Sequence, residues 1–166
     1  MRSALFFLAL VMCTRPAVAA DTCVVTPAPE PPFVPPSGFD AFTAGGNFLY
    51  GTPGLWAYVH THWKLGGLDG NKLPYFSQYY DWKTEKQPHM TVEARRLDAP
   101  APAVTSERVN GAGPSFRYGE QPDLTKPGFM VTALHIPTAG CWQITARYTP
   151  PSGKGETLSY TILVEP

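Results

Sequence analysis

Two histidines separated by one residue, His60 and His62, form the best candidate metal site in the sequence. Residues i and i+2 of a β-strand share a face, so both imidazoles could chelate Zn²⁺ or Cu²⁺ there. A site needs a third ligand, and the spacing of His89 and His135 does not require either to converge on the pair. Two histidines on a surface or edge strand explain the pattern equally simply. Metal binding therefore stands as the alternative hypothesis.

Aromatic residues are concentrated between residues 48 and 82, which hold about half of those in the chain. A sandwich core uses part of such a set, and a surplus could form a flat platform for sugar rings or for an apolar patch of a protein partner. The opposing interpretation is that these rings fill the core and cover the sheet edges. The candidate ligand-binding residues are Trp56, Tyr58, Trp63, Tyr79, Tyr80 and Trp82.

Sequence motifs of several enzyme classes are missing. There is no serine in a Gly-x-Ser-x-Gly context, no Gly-Lys-Ser/Thr phosphate loop and no His-Glu-x-x-His. Scattered carboxylates do not define a glycosidase pair by spacing alone. The sequence thus predicts a protein without catalytic residues and without a cofactor.

Residues 1–20 have the pattern of a secretory signal: Arg2 at the start, an apolar run over residues 4–12 and small residues before a cleavage point. The run is shorter than the roughly 20 residues that span a bilayer. Cys13 follows Met12 rather than a small residue, which disfavours lipid attachment. We therefore expect export to the periplasm, the cell surface or the medium, without a transmembrane segment.

Cleavage of that signal leaves two cysteines, Cys23 and Cys141. In an oxidising compartment an even pair predicts a disulfide, and two cysteines allow one pairing. The 13 basic residues fall to 11 against 13 acidic ones, because Arg2 and Arg15 leave with the signal. No basic stripe remains, which argues against a nucleic-acid partner.

A proline tract lies between the signal and the first strand, and it favours extended polyproline II over sheet. We interpret residues 21–38 as a semi-rigid strap anchored by Cys23, with service as a docking ligand as the alternative. Its prolines are Pro27, Pro29, Pro31, Pro32, Pro35 and Pro36.

Short alternating segments separated by Gly, Pro and Asp fill residues 39–166, and none shows an apolar helical period. Residues 141–148 are the clearest, with Trp142, Ile144, Ala146 and Tyr148 on one face. This pattern predicts an all-β, single immunoglobulin-like β-sandwich of roughly seven to eight strands. The other predicted strands lie near 48–50 and at 55–62, 75–83, 90–97, 104–109, 129–136 and 156–164, with loops over 63–73 and 111–127.

The segments Arg-Leu-Asp-Ala-Pro-Ala-Pro at 96–102 and Gly-Cys-Trp-Gln-Ile-Thr at 140–145 carry a family resemblance. With Leu55-Trp56 and Tyr80-Asp81-Trp82-Lys83, they resemble landmarks of a group of uncharacterised exported bacterial proteins. The resemblance covers most of residues 54–164. It implies a bacterial source, export and a small β domain, and it carries no catalytic residue. We therefore expect a non-catalytic cell-envelope binding module for a protein or carbohydrate partner.

Overall fold

The structure, a computed structural model, describes residues 23–39, 47–65, 71–106, 108–114 and 123–166. The predicted signal over 1–20, Cys13 within it and parts of the predicted loops over 63–73 and 111–127 lie outside the described residues.

Two five-stranded sheets form a β-sandwich. The first sheet has the order β1-β2-β4-β8-β7 and the second the order β3-β10-β9-β5-β6. All pairings are antiparallel except that of β3 with β10. The strands are β1 Phe48–Thr52, β2 Leu55–Val59, β3 His62–Lys64, β4 Asn71–Phe76, β5 Met90–Arg96, β6 Val104–Thr105, β7 Val109–Ala112, β8 Phe129–Leu134, β9 Gly140–Tyr148 and β10 Glu156–Glu165.

The strand order is that of an immunoglobulin domain with additions. Strands β2-β4-β8-β7 stand in the order A-B-E-D, and β10-β9-β5 in the order G-F-C. The predicted fold class is confirmed. The predicted count of seven to eight strands is too low, because β1, β3 and β6 extend the sheets to ten strands within the described residues.

The core lies between the sheets, and alternation along the strands supplies it. In β9, Trp142, Ile144, Ala146 and Tyr148 are fully buried, as their common face predicts. The indole Nε1–H of Trp142 donates to the Thr138 carbonyl at 3.1 Å, so its polar atom is satisfied inside the core. This strand pairs with both β5 and β10 and is therefore central to the second sheet.

Three predicted strands are wrong in extent. The segment predicted over 104–109 divides into β6 and β7, which lie in different sheets. The segment predicted as one strand over 55–62 ends at Val59, and β3 begins at His62 in the other sheet. The segment predicted over 75–83 is instead β4 followed by a loop. The loop turns because Asp81 accepts the backbone N–H of Lys83 at 2.9 Å and the Thr84 hydroxyl at 3.1 Å, as Asp does in turns.

Gly140 must be glycine where β9 begins. Its φ of 143° lies in the region that side chains rarely adopt. A Cβ there would also stand 2.7 Å from the Arg96 guanidinium and 2.8 Å from Asp98 Oδ2. Arg96 pairs with Asp98 (Nε to Oδ1 2.6 Å), and this pairing lowers the pKa of the Asp98 carboxyl.

Candidate functional site

The two histidines of the alternative hypothesis lie on different segments of the fold. His60 follows the end of β2, whereas His62 opens β3, so the two do not occupy alternate positions of one strand. His62 Nδ1 lies 3.1 Å from Glu165 Oε1 in an exposed pair across β3 and β10. Within the described ranges, no three His, Cys, Asp or Glu side chains are grouped to hold a metal ion.

The six candidate aromatic residues occupy separate places. Trp63 and Tyr80 belong to the core between the sheets, and Trp63 Nε1–H donates to the His60 carbonyl at 2.7 Å. Tyr79 and Trp82 lie in the loop after β4, where Tyr79 is 44% exposed. Trp82 is half-buried, and the Nζ atoms of Lys83 and Lys86 stand 5.8 and 4.9 Å from its ring centroid. Trp56 and Tyr58 remain, and they share the outer face of the first sheet.

This outer face carries a continuous row of aromatic rings. Trp56 on β2 stacks on Phe76 of β4, with centroids 5.9 Å apart and planes inclined by 16°. Phe76 also meets Tyr58 edge-on at 5.4 Å and Phe129 of β8 at 6.0 Å. We call Trp56, Tyr58, Phe76 and Phe129 the aromatic row. Strand pairing builds it, because Trp56 and Phe76 are direct register partners.

One end of the aromatic row is covered by the N-terminal segment. Phe39 meets Trp56 edge-on at 4.8 Å, and Phe33 approaches the same ring at 5.8 Å. Trp56 is consequently only 1% exposed although it lies on an outer face. Phe33 and Phe39 themselves are half-buried. The segment therefore lies on the surface of the sheet as a cover.

Three contacts fix the path of residues 23–39, which we call the strap from here on. Cys23 and Cys141 form the predicted disulfide, with Cα atoms 5.3 Å apart. Thr26 N–H donates to the Thr161 carbonyl at 3.0 Å, and Thr161 N–H donates to Thr26 Oγ1 at 2.7 Å. The phenylalanines make the third contact. The strap thus starts on the second sheet, at β9 and β10, and ends on the outer face of the first.

The outward positions of the two sheets differ sharply in chemistry. On β5, β9 and β10 they are mostly polar or charged, with Cys141 and Leu163 as the apolar exceptions: Thr91, Glu93, Arg95, Gln143, Thr145, Arg147, Thr157, Ser159 and Thr161. On β2, β4 and β8 they are mostly aromatic or apolar: Trp56, Tyr58, Lys72, Pro74, Phe76, Phe129, Val131 and Ala133. A solvated face of an antiparallel sheet is normally polar, as the second sheet shows. The first sheet therefore has apolar residues on both faces.

Two buried tyrosines place their hydroxyl groups inside the core. The hydroxyls of Tyr75 and Tyr160 meet across the core at 3.2 Å. Burial raises the pKa of Tyr75, and the neighbouring Tyr160 raises it further. Burial also raises the pKa of Tyr160. Both therefore keep their protons at neutral pH, inside the core, where they contribute packing and one hydrogen bond.

Sequence reasoning missed Phe33, Phe39 and Phe129 and did not single out Phe76. A usable signal existed for the last two, because 129–134 and 71–76 carry apolar residues on both faces of an alternating strand. For Phe33 and Phe39 there was none, since a proline tract shows no periodicity that assigns a docking face.

Comparison with protein-family models, with curated proteins and with solved structures finds no match to this chain. Among the residues that the structure describes, no helix is long and apolar enough to cross a membrane.

Proposed function

We propose that this chain is an exported, non-catalytic binding module of the cell envelope that takes its ligand on the outer face of the first sheet. One observation carries the proposal: this face is mostly aromatic and apolar, whereas the outer face of the second sheet is mostly polar. Apolar area of this kind on a small exported domain is typical of an interaction surface. Aromatic rings are the side chains that contribute most to such contacts.

Export is supported by the signal pattern over residues 1–20, by the disulfide and by the resemblance to exported bacterial proteins. The near-neutral charge of the processed chain supports a ligand other than nucleic acid. The second candidate, metal binding by His60 and His62, has weaker support because the two residues lie on different strand segments.

Chemical-shift mapping with a panel of oligosaccharides and proline-containing peptides tests the proposal. We expect at least one panel member to shift resonances of Tyr58, Phe76 and Phe129. Val131→Asp places a charge on this face and should weaken that binding at least tenfold. Thr157→Asp, the matched control on the outer face of the second sheet, should leave it unchanged. Shifts confined to another surface, or equal losses in both variants, would refute the proposal.

A further inference from the structure

The strap holds its two phenylalanines on one tryptophan because it turns back on itself. Pro36, Ser37, Gly38 and Phe39 form a turn in which Phe39 N–H donates to the Pro36 carbonyl at 3.3 Å. Gly38 has a φ of 95°, which suits the third position of a type II turn. Without the turn, six polyproline residues would separate the two rings by about 19 Å. The turn brings both within 6 Å of the Trp56 ring centre.

The aromatic row extends beyond what the strap covers. The rings of Phe33 and Phe39 contact Trp56, and Phe39 also reaches Phe76 at 6.4 Å. Tyr58 and Phe129 lie on the far sides of Phe76 and are half-buried. Val131 continues the face beside Phe129 on the same strand. On the described part of the chain, Phe76, Phe129 and Val131 thus continue the apolar track beyond Trp56.

We infer that this face binds a polypeptide segment in which two aromatic residues flank a proline-containing turn, and that the chain's own strap is its intramolecular competitor. The inference rests on the proposed function and names the ligand class for the same face. The strap shows the chemistry that fits: Phe33-Val34-Pro35-Pro36-Ser37-Gly38-Phe39. Prolines also favour binding because they limit the freedom that an extended segment loses.

The rim of the aromatic row favours a peptide over a sugar. A bound sugar keeps its affinity only when its hydroxyls find hydrogen-bond partners, since unpaired polar groups are costly to bury. Among the outward neighbours of the row, Pro74, Val131 and Ala133 offer no side-chain donor or acceptor, and only Lys72 and Asn110 add polar groups on the described part of this face. Apolar side chains and prolines of a polypeptide suit this rim without that penalty.

Tethering makes the competition measurable. A strap held close to its site acts at an effective concentration on the order of 1 mM. A free peptide with an affinity of about 0.1 mM would then bind the native protein about tenfold more weakly than a protein whose strap is disabled. Weakening the strap should therefore strengthen binding of the added peptide.

Calorimetric titration of the oxidised protein tests this with a synthetic peptide of residues 26–39. The double variant Phe33→Ala/Phe39→Ala should bind the peptide about tenfold more tightly than the native protein. The single variant Phe39→Ala should fall between them, and it serves if the double variant does not fold. A peptide with serine at both phenylalanine positions is the matched control and should bind at least tenfold more weakly.

The outcomes separate this inference from the proposed function. If a chito- or cello-oligosaccharide shifts the NMR resonances of this face and the peptide does not, the peptide assignment is overturned and the proposed binding function still stands. If neither probe shifts the resonances of this face although the protein is folded, both the proposed function and the peptide assignment are overturned. A concentration-dependent dimer abolished by Val131→Asp would make a second copy the occupant and would also overturn the peptide assignment. Equal affinity for the serine-substituted peptide would do the same.

Discussion

The disulfide offers the sharpest quantitative prediction, because it closes most of the chain into one loop. Cys23 and Cys141 are 118 residues apart. In the chain-entropy model, a crosslink over a loop of this length lowers the entropy of the unfolded state enough to stabilise the fold by about 5 kcal/mol. Domains of this kind have total stabilities of about 5 to 15 kcal/mol. Loss of the bond should therefore remove a large part of the stability.

Urea unfolding of the native protein with and without reductant measures this loss. For a slope of about 1 to 3 kcal/mol per molar urea, a loss of 5 kcal/mol lowers the midpoint by about 2 M or more. Cys23→Ser is the better single variant, because Cys23 is half-buried whereas Cys141 is buried in β9. Its midpoint should match that of the reduced native protein.

Two results would refute this reasoning. Alkylation and mass spectrometry of the exported protein without reductant should find no free thiol, and two modified cysteines per chain would mean that the bridge is not formed. A midpoint unchanged by reduction would mean that the unfolded chain is already constrained or that the strap contributes little. In the second case, the contacts at Thr26 and Phe39 would have to hold the strap alone.

Three further predictions concern the core, the histidines and a buried tyrosine. Trp142→Ala should cost about 3 to 5 kcal/mol in urea unfolding, because the ring is fully buried, and a native midpoint would contradict that packing. A hundredfold excess of Zn²⁺ over Kd would add about 2.7 kcal/mol at a real site. We expect Zn²⁺ to change the melting temperature by less than about one degree. A larger rise that disappears in His60→Ala and His62→Ala would favour a metalloprotein. Burial raises the pKa of Tyr80 to about 12, above its unfolded value near 10. The contribution of Tyr80 to stability is therefore full well below pH 10 and falls by about 1 kcal/mol by pH 11. Tyr80→Phe should remove that part of the alkaline loss, and identical pH profiles would contradict it.

The alternation of side chains along a strand correctly predicts which face each residue occupies, but it does not predict which sheet the strand joins. It correctly separates Leu55, Ala57 and Val59, which face the core, from Trp56 and Tyr58, which face outward. It could not show where the chain leaves the first sheet, because His60 and His62 continue the same period through the crossing. A change of pairing partner is a long-range event. The local sequence around residues 60–62 contains no feature that indicates this change of partner.

The site itself depends on contacts that sequence spacing does not encode. The aromatic row requires that β2, β4 and β8 be neighbours, which the order β2-β4-β8 establishes across a wide separation in sequence. Its cover requires that Cys23, at the start of the strap, bond to Cys141 and that the strap then reach Trp56. The disulfide could be predicted from composition, but the face to which it directs the strap could not. For that reason the aromatic residues were identified as a group while their division between core, loop and outer face was not.

A purely structural strap and a competing strap predict different changes in peptide affinity when a strap contact is removed and stability falls. Phe39→Ala removes a half-buried ring from Trp56, which should cost about 1 kcal/mol of stability, since full burial of such a side chain contributes about 1.5 to 3 kcal/mol. The added peptide must differ in sequence from the strap, because a peptide of residues 26–39 would fill a vacated site in either case. If the strap only stabilises the fold, the variant becomes less stable and gains no affinity for such a peptide. If it competes with a ligand, the same variant becomes less stable and binds the peptide more tightly. Measuring both quantities on one protein sample decides between these, because a general loosening of the domain would lower stability and weaken binding together.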